Sequence, residues 1–330
     1  MPHHDDSWTS VRTIVRPIGH RNAAQPHEPR DGQVIDTPLL AGRGAVVVGG
    51  SRGIGQAVAS LLAAHGAGVV INGRDAAAAA AAASAISVRG GRAVAHPGSS
   101  ADEAVARAVV DACVAEYGRI DILVNCAGAP EPAGSSILNI TTAQFADLVD
   151  THLGTVFQTC RVAVPKMVEQ GGGVIVNTSS AAFLGDYGGT GYPAGKGAVN
   201  SLTLSIAAEL KEHAVRANVV CPGARTRLNT DPQYRDHIAD LHHRGLLDDA
   251  TMQVSLDIPP AEYVASTYVY LASDLAGDVT GQIFIASGGF VGRYERPTPS
   301  LLGYRDHHDS PPWSVAEVHR MVAAKGAKSA

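Results

Sequence analysis

The stretch Gly44-Ala-Val-Val-Val-Gly-Gly-Ser-Arg-Gly-Ile-Gly55 decides the fold. Its first five residues form a continuous apolar run, as a strand buried on both faces requires. Three glycines follow in a G-x-x-x-G-x-G spacing, and a helical pattern begins at once. Glycines at such a turn let backbone N–H groups come close to a pyrophosphate at the helix N-terminus. A glycine cluster alone also suits an ordinary turn; the strand, loop and helix around it favour a dinucleotide. Gly49, Ser51, Arg52, Gly53, Ile54 and Gly55 are therefore expected to touch a cofactor. Far downstream, Tyr192-Pro-Ala-Gly-Lys196 opens a long helical segment. A phenol and an ammonium four residues apart share one helical face and can serve a single carbonyl. Together the two stretches indicate a nicotinamide-dependent oxidoreductase.

Outward from the first run, short β-branched segments alternate with long helical ones. Strands are expected at 44–48, 68–72, 92–95, 120–124, 173–178, 215–220 and 282–286. The alternation predicts an α/β fold of Rossmann type, a doubly wound parallel sheet of seven strands in one domain. The alanine run from Ala76 to Ala83 needs only its high helix propensity to be explained. The domain is placed at 41–292, with an N-terminal extension over 1–40 that is partly disordered or serves as an interface arm. Residues 224–258 are polar and His-rich, follow a strand end, and read as a substrate lid. Residues 293–330 form a tail whose last amphipathic helix lies near 314–324.

Bulk composition excludes other classes. The 330-residue chain carries a net charge of −5, so no basic field invites nucleic acid. No apolar run is long enough to span a membrane, and the N-terminus lacks the apolar core of a secretory signal. Cys113, Cys126, Cys160 and Cys221 show no CxxC spacing. They fit a reduced cytoplasmic protein with neither disulfides nor metal.

The end of the second strand bears on cofactor choice. An acidic residue there would hold ribose hydroxyls and repel a 2′-phosphate. Asn72-Gly73-Arg74 stands there instead, and Arg52 lies within the glycine turn. Two guanidinium groups favour NADP(H). On the plainer reading, Arg74 is a solvated loop residue and Asp75 caps the next helix.

With Asn125-Cys-Ala-Gly128 after the fourth strand, Ser179-Ser180 after the fifth and Tyr192-x-x-x-Lys196, the chain resembles the short-chain dehydrogenase/reductase family. Pro222-Gly223 and Thr280-Gly-Gln282 agree with it, and the resemblance covers roughly residues 40–290. Cys221 to Leu228 and the tail around Trp313 are similar to a narrower group. That group holds 3-hydroxyacyl-CoA dehydrogenase domains and 3-oxoacyl reductase-like members. The resemblance implies that Tyr192 gives a proton to a substrate carbonyl. Lys196 would lower the phenol pKa from its ordinary value near 10 and bind the nicotinamide ribose. Ser180 would hold the carbonyl, with Ser179 as the other candidate. Asn125, Ala127 and Gly128 would run along the cofactor, and Pro222, Gly223 and Thr226 would lie by its nicotinamide end.

Three departures stand out. His152 replaces an asparagine that supports a water leading to the lysine; it relays a proton, fills space or reaches the substrate. Ser99 stands where an aspartate usually holds the adenine, and Gly49 replaces a threonine. The pocket is expected to be framed by Phe183, Asp186, Tyr187, His152 and Arg225 with the lid. The resulting expectation is an NADPH-dependent ketoreductase acting on a ketone or β-keto thioester, as a homodimer or homotetramer. Rival readings are oxidation of an alcohol, reduction of an imine or enone, and a weakly catalytic cofactor-binding protein.

Overall fold

Val46, Val47 and Val48 are almost wholly buried, and this sets the centre of the fold. In the computed structural model, which describes residues 38–226, 229–230 and 232–326, β1 (Gly44–Val48) is flanked in parallel by β2 (Gly68–Gly73) and β4 (Ile122–Asn125). The sheet continues through β3 (Arg92–Pro97) on one side and through β5 (Gly173–Thr178), β6 (Val215–Gly223) and β7 (Ile283–Ser287) on the other. Its order is β3-β2-β1-β4-β5-β6-β7-β8. The seven expected parallel strands are all present. An eighth, β8 (Phe290–Tyr294), pairs antiparallel with β7 and closes that edge.

Helices cover both faces. On one, α1 (Gly53–Ala64), α2 (Ala76–Val88) and α9 (Glu262–Ala272) bury Val58, Leu62, Ile86 and Tyr268 against the sheet. On the other, α3 (Glu103–Tyr117), α5 (Thr155–Glu169) and α6 (Gly191–Glu209) bury Val109, Met167 and Val199. The alanine helix α2 packs Ala79, Ala82 and Ala83 and is capped by Asp75, whose carboxylate accepts from Ala78 N at 3.0 Å. Leu40, assigned to the extension, is fully buried in the core; residues 1–37 lie outside the described residues.

Between α4 (Thr142–Val149) and α5 the helix widens into a π turn over Asp150–Gly154, which carries His152. The segment expected as a lid contains α7 (Pro232–His243) and α8 (Asp249–Leu256), held by a small core of Ile238, Leu241 and Leu247. Residues 227, 228 and 231 lie outside the described residues. A separate unit, 295–326, is organised around Arg305, which stacks 3.7 Å above the Trp313 ring and bonds Glu317 at 2.8 Å beside α10 (Val315–Gly326). No helix of the described residues is long and apolar enough to cross a membrane.

Candidate active site

A cavity of about 1190 Å³ runs along the carboxyl ends of β1, β2, β4, β5 and β6. This is where the strand order reverses around β1, the position at which open α/β sheets bind ligands. Gly49 adopts φ +75°, and a Cβ there would lie 2.6 Å from Ala127 N. A Cβ on Gly55 would lie 2.2 Å from Gly49 O. The floor is therefore bare backbone, as a dinucleotide requires. Arg52, at the N-cap of α1, makes no side-chain capping bond, so the first turn has no side-chain cap at its mouth. Ser51, Gly53, Ile54, Ala127 and Gly128 line the same cavity, as do Pro222, Gly223 and Thr226 toward the lid. This donor set fits the nicotinamide dinucleotide that the sequence implies.

At the β2 end, Arg74 is exposed, lines the cavity and has no ion-pair partner among the described residues. Arg52 is paired with Asp75. Asp75 thus fulfils the capping role and holds a guanidinium as well; both bonds lower its pKa, the Ala78 amide more than Arg52. Ser99 lines the cavity and is exposed. Behind it, Asn72 donates to the carbonyls of His96 and Gly98 at 2.9 and 3.1 Å and accepts from Ser100 at 2.9 Å, fixing the loop. Asn125 differs from expectation. Its side chain bonds Asn177 and Thr159, each at 2.9 Å, in the core and does not line the cavity. It ties β4 to β5 and α5.

The residues expected to handle the proton line the same cavity. Ser179 donates to Lys196 O at 3.0 Å and is occupied within the fold. Ser180 lines the cavity with Tyr192 and accepts from Ala182 N at 3.2 Å. Lys196, buried on α6, donates from Nζ to Thr178 O at 3.0 Å. Burial lowers its pKa to about 8, leaving it mostly charged at neutral pH. The expected lowering of the Tyr192 pKa is not what the chain alone shows. Burial pushes the phenol up, with the nearby Ser180 hydroxyl acting against it, and the Nζ charge lies 5.8 Å from the ring centre. Tyr192 is a neutral, proton-loaded phenol at pH 7.

His152 is buried, packs edge-on to Tyr192 at 5.0 Å between ring centres, and lines the cavity. Its Nε2 lies 3.0 Å from Ala129 O; a carbonyl only accepts, so Nε2 carries the proton. Nδ1 is buried without a partner among the described residues. Burial, with Lys196 next, lowers its pKa to about 3. The ring is thus neutral at pH 7, with Nδ1 as its acceptor atom. Of the expected pocket frame, Tyr187 lines the cavity and bonds Ser255 at 3.2 Å. Phe183 packs on Tyr294 instead, and neither Asp186 nor Arg225 lines the cavity. Cys126 and Cys221 also line it, but burial raises their thiols to about 11 and 12, so neither is a nucleophile at neutral pH. Glu131, absent from the sequence reading, accepts the amides of Thr190, Gly191 and Tyr192.

A glycine-floored cradle facing a Ser–Tyr–Lys wall defines an oxidoreductase that works on a CH–OH or C=O centre with a nicotinamide cofactor. Comparison with known proteins gives the family. A profile described as short chain dehydrogenase matches residues 43–234. The short-chain reductase protein NovJ of Streptomyces niveus is 35% identical over 249 residues, covering 74% of this chain and 92% of its own length. A 3alpha-hydroxysteroid dehydrogenase of Mediterraneibacter gnavus is 35% identical, covering 76% and 97%. FabG of Chlamydia muridarum, a 3-oxoacyl-(acyl-carrier-protein) reductase, is 31% identical, covering 77% and 99%. The crystal structure of a short chain dehydrogenase from Mycobacterium avium superposes with a TM-score of 0.72 at 31% identity, covering 87% of this chain and 95% of that one. The chain belongs to the short-chain dehydrogenase/reductase family.

Proposed function

We propose that the protein is an NADPH-dependent ketoreductase that converts a ketone or β-keto (thio)ester carbonyl to an alcohol. A bound nicotinamide supplies the hydride. Tyr192 gives its phenolic proton to the carbonyl oxygen, and Ser180 holds that oxygen by a hydrogen bond. Lys196 carries the positive charge that steadies the phenolate left behind. His152 presents Nδ1 as a neutral acceptor beneath them. Two relatives bear reductase names, and the proton-loaded phenol suits the reductive direction. Arg74, free at the β2 end, supports NADPH over NADH. The reading extends to a homodimer or homotetramer in the reduced cytoplasm.

The observation that carries this reading is the convergence of Ser180, Tyr192 and Lys196 on one wall of a glycine-floored cavity. The test is Tyr192→Phe, assayed with NADPH and ethyl acetoacetate. Loss of the proton donor is expected to cut kcat by on the order of 100-fold or more with NADPH binding retained. Full turnover by the variant would overturn the assignment. NADPH binding by the native chain without turnover of any ketone in a panel would favour a cofactor-binding role.

A further inference from the structure

The helix that bears Tyr192 and Lys196 begins without a cap of its own. Thr190 stands at the N-cap but makes no side-chain capping bond, so its neighbouring backbone donors need another acceptor. They find it in Glu131, from the loop after β4. Oε1 accepts from Thr190 N at 3.0 Å and Gly191 N at 3.3 Å, and Oε2 accepts from Tyr192 N at 2.5 Å. Ser135 holds the same carboxylate at 2.8 Å. Gly188 and Gly189 make the approach possible, with φ of +65° and +78°. A Cβ on Gly189 would lie 3.2 Å from the Glu131 carboxyl carbon. Burial alone would raise the acid's pKa, yet these bonds hold it below the ordinary value. A carboxylate also belongs at this end of a helix dipole.

We infer that Glu131 is a positioning residue for the proton donor: it caps the helix in trans, sets the Tyr192 backbone, and ties the cavity-lining loop 130–135 to it. The inference rests on Tyr192 being the donor. The three bonds fix where the phenol stands, so their loss costs turnover.

The experiment uses the full-length protein with NADPH and ethyl acetoacetate. Glu131→Gln removes the charge and part of the acceptor set. It is expected to lower kcat by about 10- to 100-fold and leave the NADPH dissociation constant within about twofold. Glu131→Asp keeps the charge but falls short of the amides; it is expected to lose turnover likewise while NADPH affinity holds. Native kcat in both variants would overturn the inference. So would parallel loss of kcat and NADPH affinity. If Tyr192→Phe silences turnover while both Glu131 variants behave as native, the function stands and only this inference falls. If Tyr192→Phe stays active, the functional reading itself falls.

Discussion

Arg74 and Asp75 stand next to each other at the end of β2, with opposite commitments. Asp75 serves the α2 cap and Arg52, whereas Arg74 lines the cavity with no ion-pair partner among the described residues. A 2′-phosphate therefore meets one free guanidinium and must compete with Asp75 for the other. Charge-assisted bonds of this kind are strong enough to set preference. Arg74→Ala is expected to weaken NADPH binding on the order of 10- to 100-fold while NADH binding holds; fluorescence titration with both cofactors checks it. His152 makes a prediction about stability. Its folded pKa is about 3, against about 6.5 in an unfolded chain. Above 6.5 both states hold the same protons. Below it the unfolded chain binds one more, so stability falls as pH drops toward 3. At pH 5 this one group costs about 2 kcal/mol relative to pH 7. Urea unfolding at the two pH values should show a smaller loss in His152→Asn than in the native chain.

At the scale of elements, sequence patterns and structure agree where a pattern reports burial. The β-branched runs at 44–48 and 173–178 are strands over those same bounds, because a strand sealed on both faces must be apolar throughout. β8 carried no such mark. Phe290–Tyr294 is short and half-exposed at a sheet edge, and two glycines precede it. The glycine turn was legible because its spacing reports backbone conformation directly. Side chains held by distant partners were not. Asn125 read as a cofactor contact, but Thr159 and Asn177 claim it. Thr190 is the N-cap residue of α6 yet makes no capping bond, and nothing in the local sequence shows that Glu131 serves instead. The π turn at Asp150–Gly154 is likewise silent in composition, yet it is what directs His152 inward.

For the molecule as a whole, both faces of the sheet are sealed by helices, and the α7–α8 segment has its own small core of Ile238, Leu241 and Leu247. Apolar surface remains: Phe157 on α5 is 47% exposed and Phe145 on α4 is 37% exposed. A second copy of the chain is the proposed cover. Light scattering should give two or four times the 34.0 kDa chain mass, and a monomeric value would count against the assembly. The strand order runs outward from β1 in both directions, and the groups that line the cavity come from both halves of the chain. Its glycine floor comes from residues before 129, whereas its acid, ammonium and hydroxyl come from residues after 179. The exposed Gly171 in the turn before β5 lies between them. Severed there, neither fragment would hold a complete catalyst, and turnover would report their reunion.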